Sequence, residues 1–316
     1  MSIARTHTAQ PGVSKGDIVT IEADLSRGLF SFSIVGLVGK AVEEAKDRVS
    51  AAIKNSGFPS PKSDNRKIVI SLAPADLKKD GPLFDLPIAV AYLIAAGIIK
   101  GDVEKVLLIG ELSLDGGLRP VRGILPAIRA AQKAGFLEAI VPFDNKEEAA
   151  LIEGISIRAA KNLNEVINHI DKSRDTYLEL PVEELSAISN DWTDTHISLE
   201  DIKGQESAKR GLLIAASGLH NLMMAGPPGT GKTMLARAFQ GLLPPLSREE
   251  ALEVLSIHSL VGNITSITSA PPFRTPHHTA SHTSLVGGGA VPRPGEVTLA
   301  HSGVLFINSV PQFVNK

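Results

Sequence analysis

The sequence predicts an α/β protein built as two domains, and three observations predict it. Residues 1–170 alternate between period-two runs and helical spacing, the mark of an α+β domain with its own core. Residues 197–316 hold a glycine-rich loop between an apolar run and a helical pattern. Residues 171–196 are polar and acidic, are interrupted by Pro181, and read as a linker. A length of 316 residues fits two domains of ordinary size.

In chain order, residues 17–24 (DIVTIEAD) and 29–35 (LFSFSIV) read as strands around a turn at 26–28. Val42, Ala45, Val49, Ala52 and Ile53 share one helical face, and Gly57 stands where a helix stop belongs. Residues 67–72 (KIVISL) form a buried β-type run. Asp85 is expected to cap the apolar helix that follows. The stretch 86–99 is the longest apolar run. It is shorter than the ~20 residues needed to span a bilayer, so it predicts a core helix and no membrane partner. Residues 106–109, 127–134 and 139–142 then read as strand, helix, strand.

Composition excludes several classes. Lys+Arg (32) nearly balance Asp+Glu (34), for a formal charge of −2, so the chain is not a strongly basic nucleic-acid binder, although a local basic patch remains open. Hydrophobic residues at 43% and charged residues at 21% are ordinary for a globular chain. There is no cysteine, which removes disulfides, thiolate metal sites and a cysteine nucleophile together. That absence and the lack of an N-terminal apolar run fit a cytoplasmic protein.

The chemistry concentrates in residues 221–233, NLMMAGPPGTGKT. An apolar run at 222–225, predicted as a strand, enters Gly226, Pro227, Pro228, Gly229, Thr230, Gly231, Lys232 and Thr233, and a helical pattern follows. This is the G-x-x-x-x-G-K-[ST] phosphate loop in its strand–loop–helix setting. Glycines let successive amides converge on phosphate oxygens, and the helix N-terminus favours the anion. Lys232 is expected on those oxygens, and Thr233 on Mg²⁺ of a Mg²⁺–ATP complex. Upstream, Ile202, Gly204 and Gln205 precede a helical pattern at 207–217 and are candidates for packing on the adenine, against the simpler reading of a helix cap.

These residues carry a family resemblance. GPPGTGKT, with the preceding IKGQESAKRGLLIAASGLHNLMMA, resembles AAA+ ATPases of the magnesium-chelatase-like type. PFRTPHHTA (272–280), LVGGG (285–289) and PRPGEVTLAHSGVLF (292–306) narrow this to the ComM/YifB family of competence-associated ATPases. FSIVGL, SLAPADLKK, FDLPI and GELSLDGG in the first half agree with that family's first domain. The resemblance implies a Lon-protease-like first domain of the ribosomal-protein-S5 domain 2 type over 1–170, then the N-terminal part of an AAA+ αβα module over 197–316. It implies ATP and Mg²⁺ as cofactors and a homo-hexameric motor acting on branched or single-stranded DNA in natural transformation.

Three departures qualify the resemblance. Lon uses a Ser/Lys dyad, but the two matching positions here are Leu83 and Leu125, so peptidase chemistry is not expected. Lys78, Lys79, Arg119 and Arg122 are left as a possible binding patch, with a solvated charged face as the alternative. The family's Walker B strand ends in Asp-Glu, whereas the run 303–307 is followed by Asn308 and Ser309. Asn308 offers Mg²⁺ a neutral oxygen only, and Ser309 is a poor base, so hydrolysis is expected to be slow or absent. Gln312 takes the next acidic position.

Finally, the family is longer at its C-terminus. The implied sheet order places the strand at 222–225 between two strands that would follow Lys316. It predicts a poorly consolidated second domain and weak hexamer assembly. The alternatives are a non-catalytic binding module with a passive nucleotide site, and a fragment of a longer gene. His277, His278, His282 and His301 could bind a metal in principle, but a loop facing substrate or a neighbouring subunit fits Pro276 and the lack of nearby carboxylates better. The 287–289 glycines read as a hairpin tip.

Overall fold

The computed structural model describes residues 2–13, 15–63, 65–190, 197–262, 264, 266–277, 279–289 and 292–308. The chain divides into two compact units, Met1–Ser186 and Ala187–Lys316.

Unit 1 is a mixed seven-stranded sheet with helices. Strands β1 (Ser2–Gln10) and β2 (Asp17–Arg27) pair antiparallel along nine residues of β1. β3 (Ser31–Val35) does not fold back on β2. It pairs in parallel with β4 (Arg66–Ala73), which lies between them. The turn at 26–28 therefore reverses no hairpin. The crossover from β3 to β4 carries α1 (Lys40–Glu43) and α2 (Ala45–Asn55), whose inward side chains Val42, Ala45, Val49, Ala52 and Ile53 are all fully buried.

α3 (Asp85–Ala95) lies across β1 and β2. Leu86, Ile88, Val90 and Leu93 have no exposed surface, and burial of such side chains stabilises by roughly 1.5–3 kcal/mol each. Small residues on β1 permit the approach: Ala4, Thr6 and Thr8 are buried, and the Thr6 hydroxyl donates to the Pro87 carbonyl at 3.0 Å. β5 (Val106–Leu108) extends the sheet in parallel beside β1. β6 (Glu111–Leu112) and β7 (Leu118–Arg119) form a small separate hairpin. α4 (Ile124–Lys133) leads to β8 (Glu138–Pro142), α5 (Lys146–Ala149) to β9 (Ser156–Ala160), and α6 (Leu163–Ile170) follows. The final order is β3-β4-β2-β1-β5-β8-β9.

Asp85 is not a helix cap. Its carboxylate is fully buried and accepts from Arg48 Nε at 2.8 Å, Arg48 Nη2 at 2.9 Å and the Leu112 amide at 3.2 Å. It thus pins α2, α3 and β6 together. Burial pushes its carboxyl up to about 6, and the Arg48 and Leu112 donors only partly offset that.

The first half of the expected linker also behaves differently. Residues 171–186 pack on unit 1. The Leu178 amide donates to the Asn168 carbonyl at 3.1 Å, Glu183 to Ile157 at 2.8 Å, and Ser186 to Ala150 at 3.0 Å. The Leu180 amide donates to His169 Nδ1 at 3.2 Å, leaving Nε2 to donate to Glu138 at 2.9 Å. Burial raises the Glu138 carboxyl, but bonds from His169 and Arg158 outweigh it, and the group sits below its usual range.

Unit 2 centres on α7 (Glu206–Gly218), α8 (Lys232–Gln240) and α9 (Arg248–Val261). A capping box between Ser247 and Glu250 opens α9, and Gly262 in the left-handed conformation closes it. β10 (Phe273–Arg274) pairs in parallel with β13 (Val304–Leu305). Between them lie α10 (His282–Val286), β11 (Gly287–Gly288), β12 (Arg293–Pro294) and α11 (Glu296–Leu299). Gly287 and Gly288 form one arm of the β11–β12 hairpin, Gly289 begins its turn, and a side chain at Gly287 would meet the Arg293 carbonyl at 2.7 Å. Residues 222–225 form no strand. Leu222 and Met223 are exposed, and among the described residues nothing pairs with their backbone.

Candidate functional site

The loop at 226–231 is held from beneath by a small apolar core. Ile202, Leu212, Leu235 and Ala238 are buried together, with Ala208, Met224 and Phe239 packed around them. This core joins α7 to α8 and seats the segment before α7 beside the loop. Ile202 is spent on that core, at 6% exposure. Gly204 and Gln205 are left-handed, with φ of +67° and +59°. The Gln205 side-chain amide donates to the Thr230 carbonyl at 3.4 Å. Gln205 thus meets the phosphate loop itself.

Within the loop, Gly229 and Gly231 adopt φ of +80° and +84°, which side-chain-bearing residues avoid. The Thr230 hydroxyl donates to the Pro227 carbonyl at 2.9 Å and so braces the bend. Lys232 folds back over it, with Nζ donating to the carbonyls of Gly226 at 2.9 Å and Pro227 at 2.7 Å, and lying 3.4 Å from Thr230 Oγ1. Among the described residues no acceptor meets the amides of residues 229–233. Amides without a backbone acceptor, a helix N-terminus and one ammonium occur together on this exposed loop, and they are the donor types a polyphosphate requires. Thr233 is exposed at the start of α8.

The Mg²⁺ side is poorer. β13 ends near Asn308, whose exposed amide carries no charge, while Ser309, Gln312 and the rest of 309–316 lie outside the described residues. The described histidines stand apart from one another in their contacts. His277 Nδ1 is used in a local turn with Thr279, at 2.7 Å to its hydroxyl. His282 opens α10, His301 stands 3.5 Å from Glu253, and His278 lies outside the described residues. Among the described residues no three His, Cys, Asp or Glu cluster as metal ligands.

In unit 1, the positions matching the Lon dyad are hydrocarbon: Leu83 is 5% exposed and Leu125 fully buried. Lys79 is buried too, its Nζ donating to the Pro74 carbonyl, so it joins no surface patch. Sequence reasoning missed the Arg48–Asp85 pair, because no local spacing relates residues on different helices.

Comparison with known proteins decides the family. The magnesium chelatase subunit ChlI family matches residues 198–316, and a second ChlI family description matches 21–145. The chain is 46% identical to YifB of Escherichia coli over 99% of its own length and 60% of that protein. The chain belongs to the magnesium-chelatase-like family that includes YifB. It is also 42% identical to the competence protein ComM of Haemophilus influenzae, over 100% of its length and 62% of ComM. It therefore spans about 60% of the length of these magnesium-chelatase-like relatives. Lon protease 1 of Sorangium cellulosum is 27% identical over 55% of the chain and 23% of that protein, in keeping with the mixed α/β fold. No helix among the described residues is long and apolar enough to cross a membrane.

Proposed function

We propose that the chain is the nucleotide-binding part of a ComM/YifB-type AAA+ ATPase, in which residues 226–233 hold the phosphates of ATP and hydrolysis is slow. The observation that carries this reading is the run of amides over 229–233 that meets no acceptor among the described residues, on the same loop as the Lys232 ammonium. On nucleotide binding the lysine exchanges the Gly226 and Pro227 carbonyls for phosphate oxygens, a charge-assisted bond stronger than the neutral ones it leaves. Gln205 steadies the loop through Thr230. Thr233 supplies the hydroxyl for Mg²⁺, with Asn308 as a weak neutral second group.

Slow hydrolysis follows from chemistry. With Asn308 and Ser309 at the Walker B positions, nothing there can deprotonate or strongly orient water, a loss of ~10²–10⁴ in rate. Similarity to the competence protein ComM supports a setting in competence; the motif resemblance extends this proposal to DNA branch migration, with branched or single-stranded DNA as partner and a homo-hexamer as the working form of the family. The passive-module alternative is favoured by the same missing acids.

The test is equilibrium binding of a fluorescent ATP analogue, with and without Mg²⁺, beside Lys232→Ala. Saturable binding that falls at least about tenfold in the variant is expected, since a hydrogen bond to a charged group contributes ~1.5–3 kcal/mol. Turnover should stay far below about 1 s⁻¹, the lower end of ordinary enzymes. Equal binding by both proteins removes the nucleotide reading, and turnover in the ordinary range removes the slow-hydrolysis reading.

A further inference from the structure

Residues 177–186 lie along the edge of β9 as a strap with little hydrocarbon to hold it. Leu180 is buried, at 7% exposure, whereas Leu178, Val182 and Leu185 are exposed. Polar bonds hold the strap instead. Besides the amides of Leu178, Glu183 and Ser186, which donate to backbone carbonyls of the body, two side chains grip its centre. Arg158 of β9 donates through Nη2 to Glu179 at 2.6 Å and through Nη1 to the Leu180 carbonyl. His169 of α6 accepts the Leu180 amide at Nδ1, at 3.2 Å. Of these bonds, the last alone needs a lone pair on a titratable nitrogen.

The partners fix the state of the ring. A backbone amide only donates, so Nδ1 must be bare, and Nε2–H then donates to Glu138 Oε1 at 2.9 Å. The other oxygen of Glu138 accepts Arg158 Nε at 2.6 Å. A proton on Nδ1 would set one N–H against another and leave the Leu180 amide without its acceptor. Attraction between the imidazolium and Glu138 does not hold the strap, because Glu138 belongs to β8 and stays beside the ring when the strap leaves. The strap's own carboxylate at this point, Glu179, is taken by Arg158. A cavity of about 440 Å³ beside the ring brings further charges of both signs, Asp102, Glu104, Lys105 and Lys172, together with Tyr177. Among these side-chain types the imidazole is the one whose ordinary titration falls near neutrality.

We propose that the His169–Leu180 contact is a proton-operated latch: the neutral imidazole holds residues 177–186 on the edge of β9, and its protonation releases them.

The test is hydrogen exchange on the whole chain, read as protection factors corrected for the intrinsic pH dependence of exchange. An exposed imidazole titrates near 6.5, so if the proton enters only the released form, docking weakens about tenfold between about pH 7.5 and about pH 5.5. Protection of the Leu178, Leu180, Glu183 and Ser186 amides should fall by that factor, while protection in β8 and β9 does not fall. Two variants separate the latch from other titrations. His169→Asn puts an amide oxygen where Nδ1 stands and cannot titrate, so the strap should stay protected at both pH values. His169→Gln reaches Glu138 but offers Leu180 no acceptor, so the strap should be poorly protected at both. Wild-type protection in β8 and β9 shows that each variant folds. Strap protection that ignores pH in the unaltered chain, a tenfold fall that persists in His169→Asn, or equal strap protection in the Asn and Gln variants would each overturn the proposal.

Discussion

The two units solve the same problem with different completeness. In unit 1 every long strand has a ladder partner, and α3 is sealed against β1 and β2. Among the described residues of unit 2 the named ladders are two residues long, and none includes the segment entering the phosphate loop. Yet the loop keeps its left-handed glycines and its lysine contacts, because the core of Ile202, Leu212, Leu235 and Ala238 holds α7 and α8 together from below.

The sharpest way to break the contrast is inside unit 1. Arg48→Ala leaves the Asp85 carboxylate buried without its cation, and breaking such a pair costs ~3–5 kcal/mol. The loss should depend on pH with a definite sign. Asp85 titrates near 6 when folded, above its value in an unfolded chain of about 4. Its contribution is therefore fully present below about 4 and lost as pH rises through about 6. Denaturant melts should show Arg48→Ala closest to wild type in acid and furthest from it at neutral pH. A penalty that does not vary with pH would mean the pair is not what anchors α2 to α3.

Next in size is unfolding of the unaltered chain. Unit 2 should melt first, in a transition separable from that of unit 1 by calorimetry, and Mg²⁺–ATP should shift only the lower one. A single transition in which both units melt together would merge what the contrast separates. Smaller again is Lys232→Ala, which should weaken ATP-analogue binding at least about tenfold and leave the upper transition unmoved. Smallest is Gln205→Ala. It removes one long neutral bond to Thr230, and an effect of about 0.5–1.5 kcal/mol, a few-fold in affinity, is expected. A larger loss in Gln205→Ala than in Lys232→Ala would show that Gln205 touches the nucleotide, as its sequence position first suggested.

What could be read in the sequence follows the same division. The apolar helix at α3 and the β-type runs of β2, β4 and β8 announce themselves by local pattern, and each is present. β1 does not, because its inward residues are Ala4, Thr6 and Thr8, small and partly polar so that α3 can sit close. The docking of 171–186 was hidden for a similar reason: one buried leucine, Leu180, and a few backbone bonds hold a segment whose composition is that of a linker. Asp85 reads locally as a cap, but its partner lies 37 positions away in sequence, on another helix. The strand expected at 222–225 failed in the opposite sense. Its sequence is strand-like, but a strand is defined by its neighbours, and none of the described residues provides one. In the site, the loop glycines and Lys232 were legible from spacing alone, whereas the turn of Gln205 toward Thr230 depended on a left-handed backbone that no pattern signals.

The most direct test of this account is hydrogen exchange along the whole chain, with and without Mg²⁺–ATP. Exchange should be slow in α3, β1 and β2 and fast at 221–225, with nucleotide-induced slowing confined to the amides of 229–233 and the start of α8. Slow exchange at 221–225 without ligand, or no change at 229–233 with it, would contradict it.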